Sequence, residues 1–373
     1  MQFIDLAAQQ AHMKDALDRR IQTVLAHGRY IMGPEVAELE QALAHFCGAR
    51  HAITCANGTD ALEMALAALG VAPGDAVFVP SFTFASTAEV VPGTGAVPYF
   101  VDVSASTFNI DVQSLDRTIA AAKRDGLRAA AVIPVDLFGL PADYDAISEI
   151  ASAHGLHVLA DAAQSFGASY KERSAGTLGD LTTSSFFPAK PLGCYGDGGV
   201  VFTDNDGWAE LIRSYRVHGK GREKYDNVRL GRNSRLDTLQ AAILLEKLAH
   251  FPKEIDARQR IADIYTDALA ETVTVPRVPD ACGSVWAQYT LRLQSRDQRD
   301  TVRERLKEDG IPTEVYYPKP LHRQGAFNGH RGDPEGLPVS EELSETVLAL
   351  PMHPYLSNDD QQRVIDALKS SLP

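Results

Sequence analysis

Ser184-Ser185-Phe186-Phe187-Pro188-Ala189-Lys190-Pro191-Leu192-Gly193 is the stretch on which the fold turns. Residues 183–187 read as a strand. A lysine follows, set between prolines and apolar side chains. Such a setting disfavours the ammonium form, and a neutral amine is the nucleophile that makes a Schiff base with a carbonyl. Ser185 lies one short strand segment upstream and offers a hydroxyl donor to a phosphate. A plain surface lysine is the alternative, and the apolar flanks speak against it. Downstream, Gly196-Asp197-Gly198-Gly199 leads into Val200-Val201-Phe202. The spacing is not that of a dinucleotide fingerprint, and a strand follows where that motif needs a helix. A tight turn returning the Lys190 loop to a sheet is the better account.

Working outward, strand-like and helix-like segments alternate. Strands are expected at 51–56, 76–80, 97–103, 128–135, 157–162, 183–187 and 199–203. Helices are expected at 34–46, 59–69, 83–91 and 142–154. This alternation predicts an α/β fold, a mostly parallel sheet with helices on both faces. Near residue 250 the pattern changes to a helix over 253–270, a strand over 286–293, a helix over 297–308, a strand over 313–317 and a helix over 358–371. The division expected is a large domain, 1–250, with an N-terminal helical segment, and a smaller α+β domain, 251–373. Residues 325–338 are rich in Gly and Pro and read as a surface loop.

The chain has 373 residues, 45% of them hydrophobic, and a formal charge of −13. It is long enough to bury a sizeable core, and its acidity argues against nucleic acid and anionic membrane as partners. Cys47, Cys55, Cys194 and Cys282 form no C-x-x-C pair, which removes the zinc-knuckle and thioredoxin readings. No apolar run reaches the length of a membrane span, and the first residues lack the basic and apolar regions of a signal peptide. A cytoplasmic protein is expected.

Three further features carry chemistry. Asn57-Gly58-Thr59-Asp60 sits between a strand and a helix, where free N–H groups can seat a phosphate; an ordinary helix cap is the plainer reading. Phe82-Thr83-Phe84 follows a strand and can stack on a planar ligand or simply fill core. Val158-Leu159-Ala160-Asp161 ends a buried strand on a carboxylate, which is expensive unless paired. A protonated pyridine nitrogen would pair it; so would the next loop, if Asp161 caps it.

In order, these are a phosphate seat, an aromatic, an acid, a serine and a lysine. The order resembles pyridoxal-phosphate (PLP) enzymes of fold type I, whose sheet is of a seven-stranded type. Within them the chain resembles the DegT/DnrJ/EryC1/StrS family of nucleotide-sugar aminotransferases. Gly33-Pro34-Glu35, Asn57-Gly58-Thr59-Asp60-Ala61-Leu62, Asp161-Ala162-Ala163-Gln164-Ser165, the Lys190 segment, Asn233-Ser234-Arg235-Leu236-Asp237 and Leu350-Pro351-Met352-His353-Pro354 carry the resemblance. It implies that Lys190 tethers the cofactor, PLP, which becomes pyridoxamine phosphate during the reaction. It implies Asp161 at the pyridine nitrogen, Gln164 at the ring or its phenolic oxygen, and Gly58, Thr59 and Ser185 at the phosphate. It places Phe84 against the ring. Asn233 would reach the phosphate of a neighbouring subunit, which implies a homodimer with shared active sites.

The Lys190 segment and Ala287-Gln288-Tyr289-Thr290 resemble the branch of that family acting on UDP-2-acetamido-2-deoxy-3-oxo-glucuronate. That branch takes the amino group from L-glutamate, releases 2-oxoglutarate and serves surface polysaccharide synthesis. The resemblance puts Arg235, Tyr317 and His322 near the sugar. In Val315-Tyr316-Tyr317-Pro318, Tyr316 stands where such relatives carry His, which leaves a neutral 3- or 4-ketosugar open. A structural role for Arg235, paired with Asp237, also stays open. Sugar dehydratases of the same fold place His where Lys190 stands, so Lys190 argues against them. A non-catalytic regulatory protein of this fold is the rival from another class. The basic loop Val217-His218-Gly219-Lys220-Gly221-Arg222-Glu223-Lys224 is either a pyrophosphate contact or a solvated turn.

Overall fold

The computed structural model describes residues 1–223 and 225–372. Two N-terminal helices, α1 (Leu6–His27) and α2 (Pro34–Cys47), precede the sheet. The strands are β1 (His51–Cys55), β2 (Asp75–Pro80), β3 (Val97–Val101), β4 (Arg128–Val132), β5 (His157–Asp161), β6 (Leu181–Ser185) and β7 (Gly199–Thr203). Interleaved with them are α3 (Gly58–Ala68), α4 (Ser86–Glu89), α5 (Val112–Arg124), α6 (Tyr144–His154) and, after β7, α7 (Asp206–Tyr215). The spatial order is β1-β7-β6-β5-β4-β2-β3. β7 runs antiparallel to both neighbours, and the other pairs are parallel.

Both faces of the sheet are buried, as a parallel sheet requires. Val77 and Val79 of β2 pack with α3 and α7 residues on one face. Ala76 and Phe78 pack with α5 and α6 residues on the other. Because strands run in one direction, β1, β2, β5 and β6 all deliver their C-terminal ends to the same edge, where ligands of open α/β sheets bind.

Helix α8 (Thr238–Leu269) is 32 residues long and carries Pro252 inside it. The helix expected at 253–270 is its second half. Proline removes one helical hydrogen bond, yet the helix continues because both halves are anchored. Leu244, Leu248 and Phe251 pack with α2, and Ile261, Tyr265 and Leu269 enter the C-terminal core. Residue 250, where the sequence pattern changes, therefore lies within α8. Beyond it come β8 (Tyr289–Arg292), α9 (Arg296–Glu308), α10 (Pro338–Thr346), β9 (Val347–Leu350) and α11 (Asn358–Ser371), with β8 and β9 paired antiparallel. This α+β portion has its own apolar core.

Two expected elements differ. The helix over 83–91 shrinks to α4, because residues 81–85 form a loop wall instead. The strand over 313–317 reduces to a single bridge between Glu314 and Ala349, and residues 315–317 turn into the cavity described next. Among the described residues, no helix is long and apolar enough to cross a membrane.

Candidate active site

The ends of β1, β2, β5 and β6 converge on a cavity of 720 Å³. Lys190, Asp161, Gly58, Thr59, Ser185 and Phe84 all line it, and so do Gln164 and Tyr317.

Register explains the phosphate corner. Gly199 of β7 pairs with Ser185 on one side and Cys55 on the other. This brings Gly58 against Ser185 so closely that a Cβ on Gly58 would lie 2.9 Å from Ser185 Cβ. A Cβ on Gly199 would fall 2.3 Å from Asn57 O. Asn57 caps α3, its Oδ1 accepting from Asp60 N at 2.8 Å, which leaves the first-turn N–H groups of Gly58 and Thr59 available to an anion.

Asp161 is 4% exposed. Its Oδ1 accepts from Ala163 N (3.1 Å) and its Oδ2 from Thr87 Oγ1 (3.0 Å). Burial pushes its carboxyl above the usual carboxylate range, opposed by the Ala163 N–H, the Lys190 charge and the Thr87 hydroxyl. A buried carboxylate with capacity for further donors is suited to a cation on the cavity side. Burial lowers the Lys190 amine below its ordinary value, with Asp161 pulling the other way.

The Lys190 loop is tied down at several points. Cys194 N donates to Phe186 O and Phe186 N to Gly198 O, each at 2.8 Å. Lys247, a buried lysine of α8, donates to Gly193 O at 2.7 Å. The glycine turn thus closes the loop back onto β7.

Gln164 is held from two sides. Phe138 N donates to its Oε1 at 2.8 Å, and its Nε2 donates to Tyr317 OH at 3.1 Å. Phe84 is exposed on the cavity side, its ring 6.5 Å from that of Tyr317.

Three other residues singled out in the sequence lie outside this lining. His322 is engaged elsewhere: its Nδ1 is 2.6 Å from Ser81 Oγ and its Nε2 is 3.0 Å from Glu341 Oε1. Asn233 is exposed, and Arg235, half-buried, donates to its Oδ1. That contact, and not an ion pair with Asp237, is where the Arg235 side chain goes. Lys224 of the basic loop lies outside the described residues; Lys220 and Arg229 of the same arm line an open hollow of 820 Å³.

Thr87 and Gln288 escaped the sequence reading. Thr87 sits in what the pattern offered as an ordinary helix, and only the fold brings it to Asp161. Gln288 lies inside the quoted Ala287-Gln288-Tyr289-Thr290 but carried no chemical signal of its own.

The residues fit PLP. The pyridine nitrogen would meet Asp161, the phosphate would meet Gly58, Thr59 and Ser185, and the aldehyde carbon would meet Lys190. Comparison with known proteins identifies the family. A model of the DegT/DnrJ/EryC1/StrS aminotransferase family matches residues 11–369. The chain is 48% identical to UDP-2-acetamido-2-deoxy-3-oxo-D-glucuronate aminotransferase of Pseudomonas aeruginosa, over 99% of each chain. It is 42% identical to a protein of Geobacillus stearothermophilus named pleiotropic regulatory protein, over 98% of this chain and 96% of the other. The crystal structure of a DegT DnrJ EryC1 StrS aminotransferase from Brucella abortus superposes with a TM-score of 0.97 at 51% identity, over 99% of each chain. By the match over residues 11–369, the identity to these relatives and the shared fold, the chain belongs to the DegT/DnrJ/EryC1/StrS aminotransferase family of PLP-dependent enzymes.

Proposed function

We propose that this chain moves an amino group from L-glutamate to UDP-2-acetamido-2-deoxy-3-oxo-D-glucuronate, at C3, within the synthesis of a surface polysaccharide such as a lipopolysaccharide O-antigen. The observation that carries the catalytic part is the convergence of Lys190, Asp161, Gly58 and Ser185 on one cavity. Identity to the Pseudomonas enzyme supports the choice of substrate.

PLP, when bound, supplies an electron sink for charge at the carbon that carries the amino group. Asp161 holds the proton on the pyridine nitrogen, and Thr87 and Ala163 keep its carboxylate aimed. Gly58, Thr59 and Ser185 hold the phosphate. Lys190 would tether the cofactor, and its free amine would carry the proton off and onto the reacting carbon. Its lowered pKa keeps a larger fraction of the amine neutral for both tasks. Gln164 and Tyr317, bonded to each other, define the wall beside the ring.

The charges of the substrate support a homodimer. Among the described residues lining the cavity, Lys190 is the one cation, beside Asp161 and Asp197. A uronate carboxylate and a diphosphate need donors that one chain does not place there. Asn233 and Arg235 sit outside their own chain's cavity, and Val228 (53% exposed) and Leu230 (96% exposed) lie on the same arm. Exposed apolar residues of this kind mark association surfaces. A second copy would cover them and bring Asn233 to the phosphate and Arg235 to the carboxylate. His322, through Ser81, would act on the sugar by fixing the loop before Phe84. A cytoplasmic location fits nucleotide-sugar and glutamate substrates.

A second reading has one observation in its favour. Tyr316 lines the cavity, so its wall holds a neutral phenol where the sequence resemblance has a histidine. That favours a neutral 3- or 4-ketosugar. A panel of aminated nucleotide sugars, run in reverse with 2-oxoglutarate and followed by cofactor absorbance, separates the two: the uronate should react fastest. A faster neutral sugar replaces the first reading by the second.

A further inference from the structure

We infer that Lys247, outside the cavity, is a positioning residue for Lys190: by donating to Gly193 O from α8 it fixes the tip of the Lys190 loop, and it acts on the bond that Lys190 makes to the cofactor but not on the seats of the phosphate and ring. The inference rests on the reading that Lys190 tethers PLP and deepens it.

The loop has a firm base and a weakly bonded tip. At the base, Ser185 pairs with Gly199 in the β6–β7 ladder, and Phe186 N donates to Gly198 O at 2.8 Å. Cys194 N and Cys194 Sγ both donate to Phe186 O, at 2.8 and 3.0 Å. The tip, residues 187–193, contains Pro188 and Pro191, which have no N–H to give. Among the described residues, one backbone–backbone bond closes within it, from Lys190 N to Phe187 O at 2.9 Å. The Leu192 side chain packs in the core beneath, and such contact is adhesive but not directional.

Lys247 supplies the direction. Its Nζ donates to Gly193 O at 2.7 Å, and the residue is 2% exposed. Gly193 in turn lies tight on the residues before Lys190. A Cβ there would fall 2.4 Å from Pro188 O and 2.6 Å from Phe187 O. Phe187 O is the acceptor of the Lys190 N–H. A displacement of Gly193 is therefore passed to the backbone of Lys190 through two contacts.

Stability alone does not account for a lysine at this position. The ammonium stands 4.3 Å over the Tyr195 ring and, among the described residues, pairs with no carboxylate. Glu254, the acid that most favours its charge, accepts instead from Gln9 and Tyr355. Burial lowers the Lys247 amine to about 8. A buried charge without a close counter-ion is costly, and an apolar side chain of similar length would pack there more favourably. What the apolar residue could not do is hold Gly193 O.

The test compares two forms of the cofactor on wild type and Lys247→Met. PLP joins Lys190 through a C=N bond, formed between the amine nitrogen and the aldehyde carbon with loss of water. Pyridoxamine phosphate carries an amine in place of the aldehyde and makes no such bond, while its phosphate and ring use the same seats. Equilibrium dialysis of the cofactor-free, full-length protein gives both affinities. Lys247→Met should bind PLP about tenfold more weakly and pyridoxamine phosphate within about twofold of wild type. In the Lys190→Ala background, the same substitution should leave PLP affinity within about twofold. Lys247→Gln keeps a polar end but draws it back by one bond. It should weaken PLP selectively and to a smaller extent, and it carries the test if the Met variant does not fold. Equal weakening of both cofactor forms would make Lys247 structural and overturn the inference. So would an unchanged PLP affinity, or a loss that persists undiminished in Lys190→Ala. If wild type binds PLP no better than Lys190→Ala does, the tether reading itself falls.

Discussion

Thr87 Oγ1 donates to Asp161 Oδ2 at 3.0 Å, and both side chains are buried. A short helix that the sequence pattern overstated thus supplies one of two donors that favour the ionised form of the cavity's acid against its burial. Thr87→Val keeps the shape and removes the donor. One hydrogen bond to a charged group is worth about 1.5–3 kcal/mol. PLP affinity, followed by fluorescence, should therefore fall roughly tenfold or more, with folding retained. Asp161→Asn should remove most turnover at saturating PLP. Wild-type affinity in Thr87→Val would show that Ala163 N alone suffices.

Gly58→Ala tests the phosphate corner. The added Cβ would sit 2.9 Å from Ser185 Cβ and 3.3 Å from its Oγ, so either the start of α3 or the end of β6 must shift. Overpacking of this kind costs about 1–3 kcal/mol. Equilibrium dialysis should show weakened PLP binding, and thermal melts should show a smaller loss for the apoenzyme than for the PLP-loaded enzyme.

Much of this site was legible in the sequence because its residues terminate strands. Asp161, Ser185 and the Asn57-Gly58-Thr59 turn each follow a short apolar or β-branched run, and a parallel sheet sends such ends to one edge. Lys190 was legible from its flanking prolines. What escaped depends on contacts distant in sequence. Thr87 and Gln288 are ordinary polar residues until the chain folds. Helix α1 was missed because its buried positions, Gln9, Met13, Leu17 and Val24, make a narrow stripe on an otherwise polar helix. Residues 313–317 look like a strand by composition, yet Tyr316 and Tyr317 are used to line the cavity.

Asp136 gives the protein a pH dependence of its own. It is fully buried and accepts from Ala142 N (2.9 Å), Tyr144 OH (2.8 Å) and Ser165 Oγ (2.7 Å). Burial pushes its carboxyl up to about 7 despite these donors, and the Asp161 charge adds to the rise. A carboxyl raised in the folded state favours folding while protonated. That contribution is full below its unfolded pKa near 4 and is lost as pH rises through about 7. Asp136→Asn keeps the two donors to Oδ1 and can donate to Ser165. Its unfolding free energy should fall less than that of wild type between about pH 5 and pH 8, by roughly 2–4 kcal/mol, and its Tm should fall less accordingly. Parallel melting curves for the two proteins would remove this role from Asp136.

The proposed sharing of the site between two chains predicts complementation. Lys190→Ala protein and Asn233→Ala protein should each be impaired, and a mixture allowed to exchange subunits should regain activity. One of the two sites in a hybrid dimer then receives both intact residues. Exchange verified by mass spectrometry with no regain would confine each active site to a single chain.

The central claim is that Lys190 holds the cofactor in a cavity completed by Asp161. Its most direct test is borohydride reduction of the yellow PLP-loaded enzyme, followed by proteolysis and mass spectrometry. The phosphopyridoxyl group should be found on Lys190, in a peptide containing Phe187-Pro188-Ala189-Lys190, and Lys190→Ala should carry none. A label on any other lysine, or undiminished labelling of Lys190→Ala, would contradict the account.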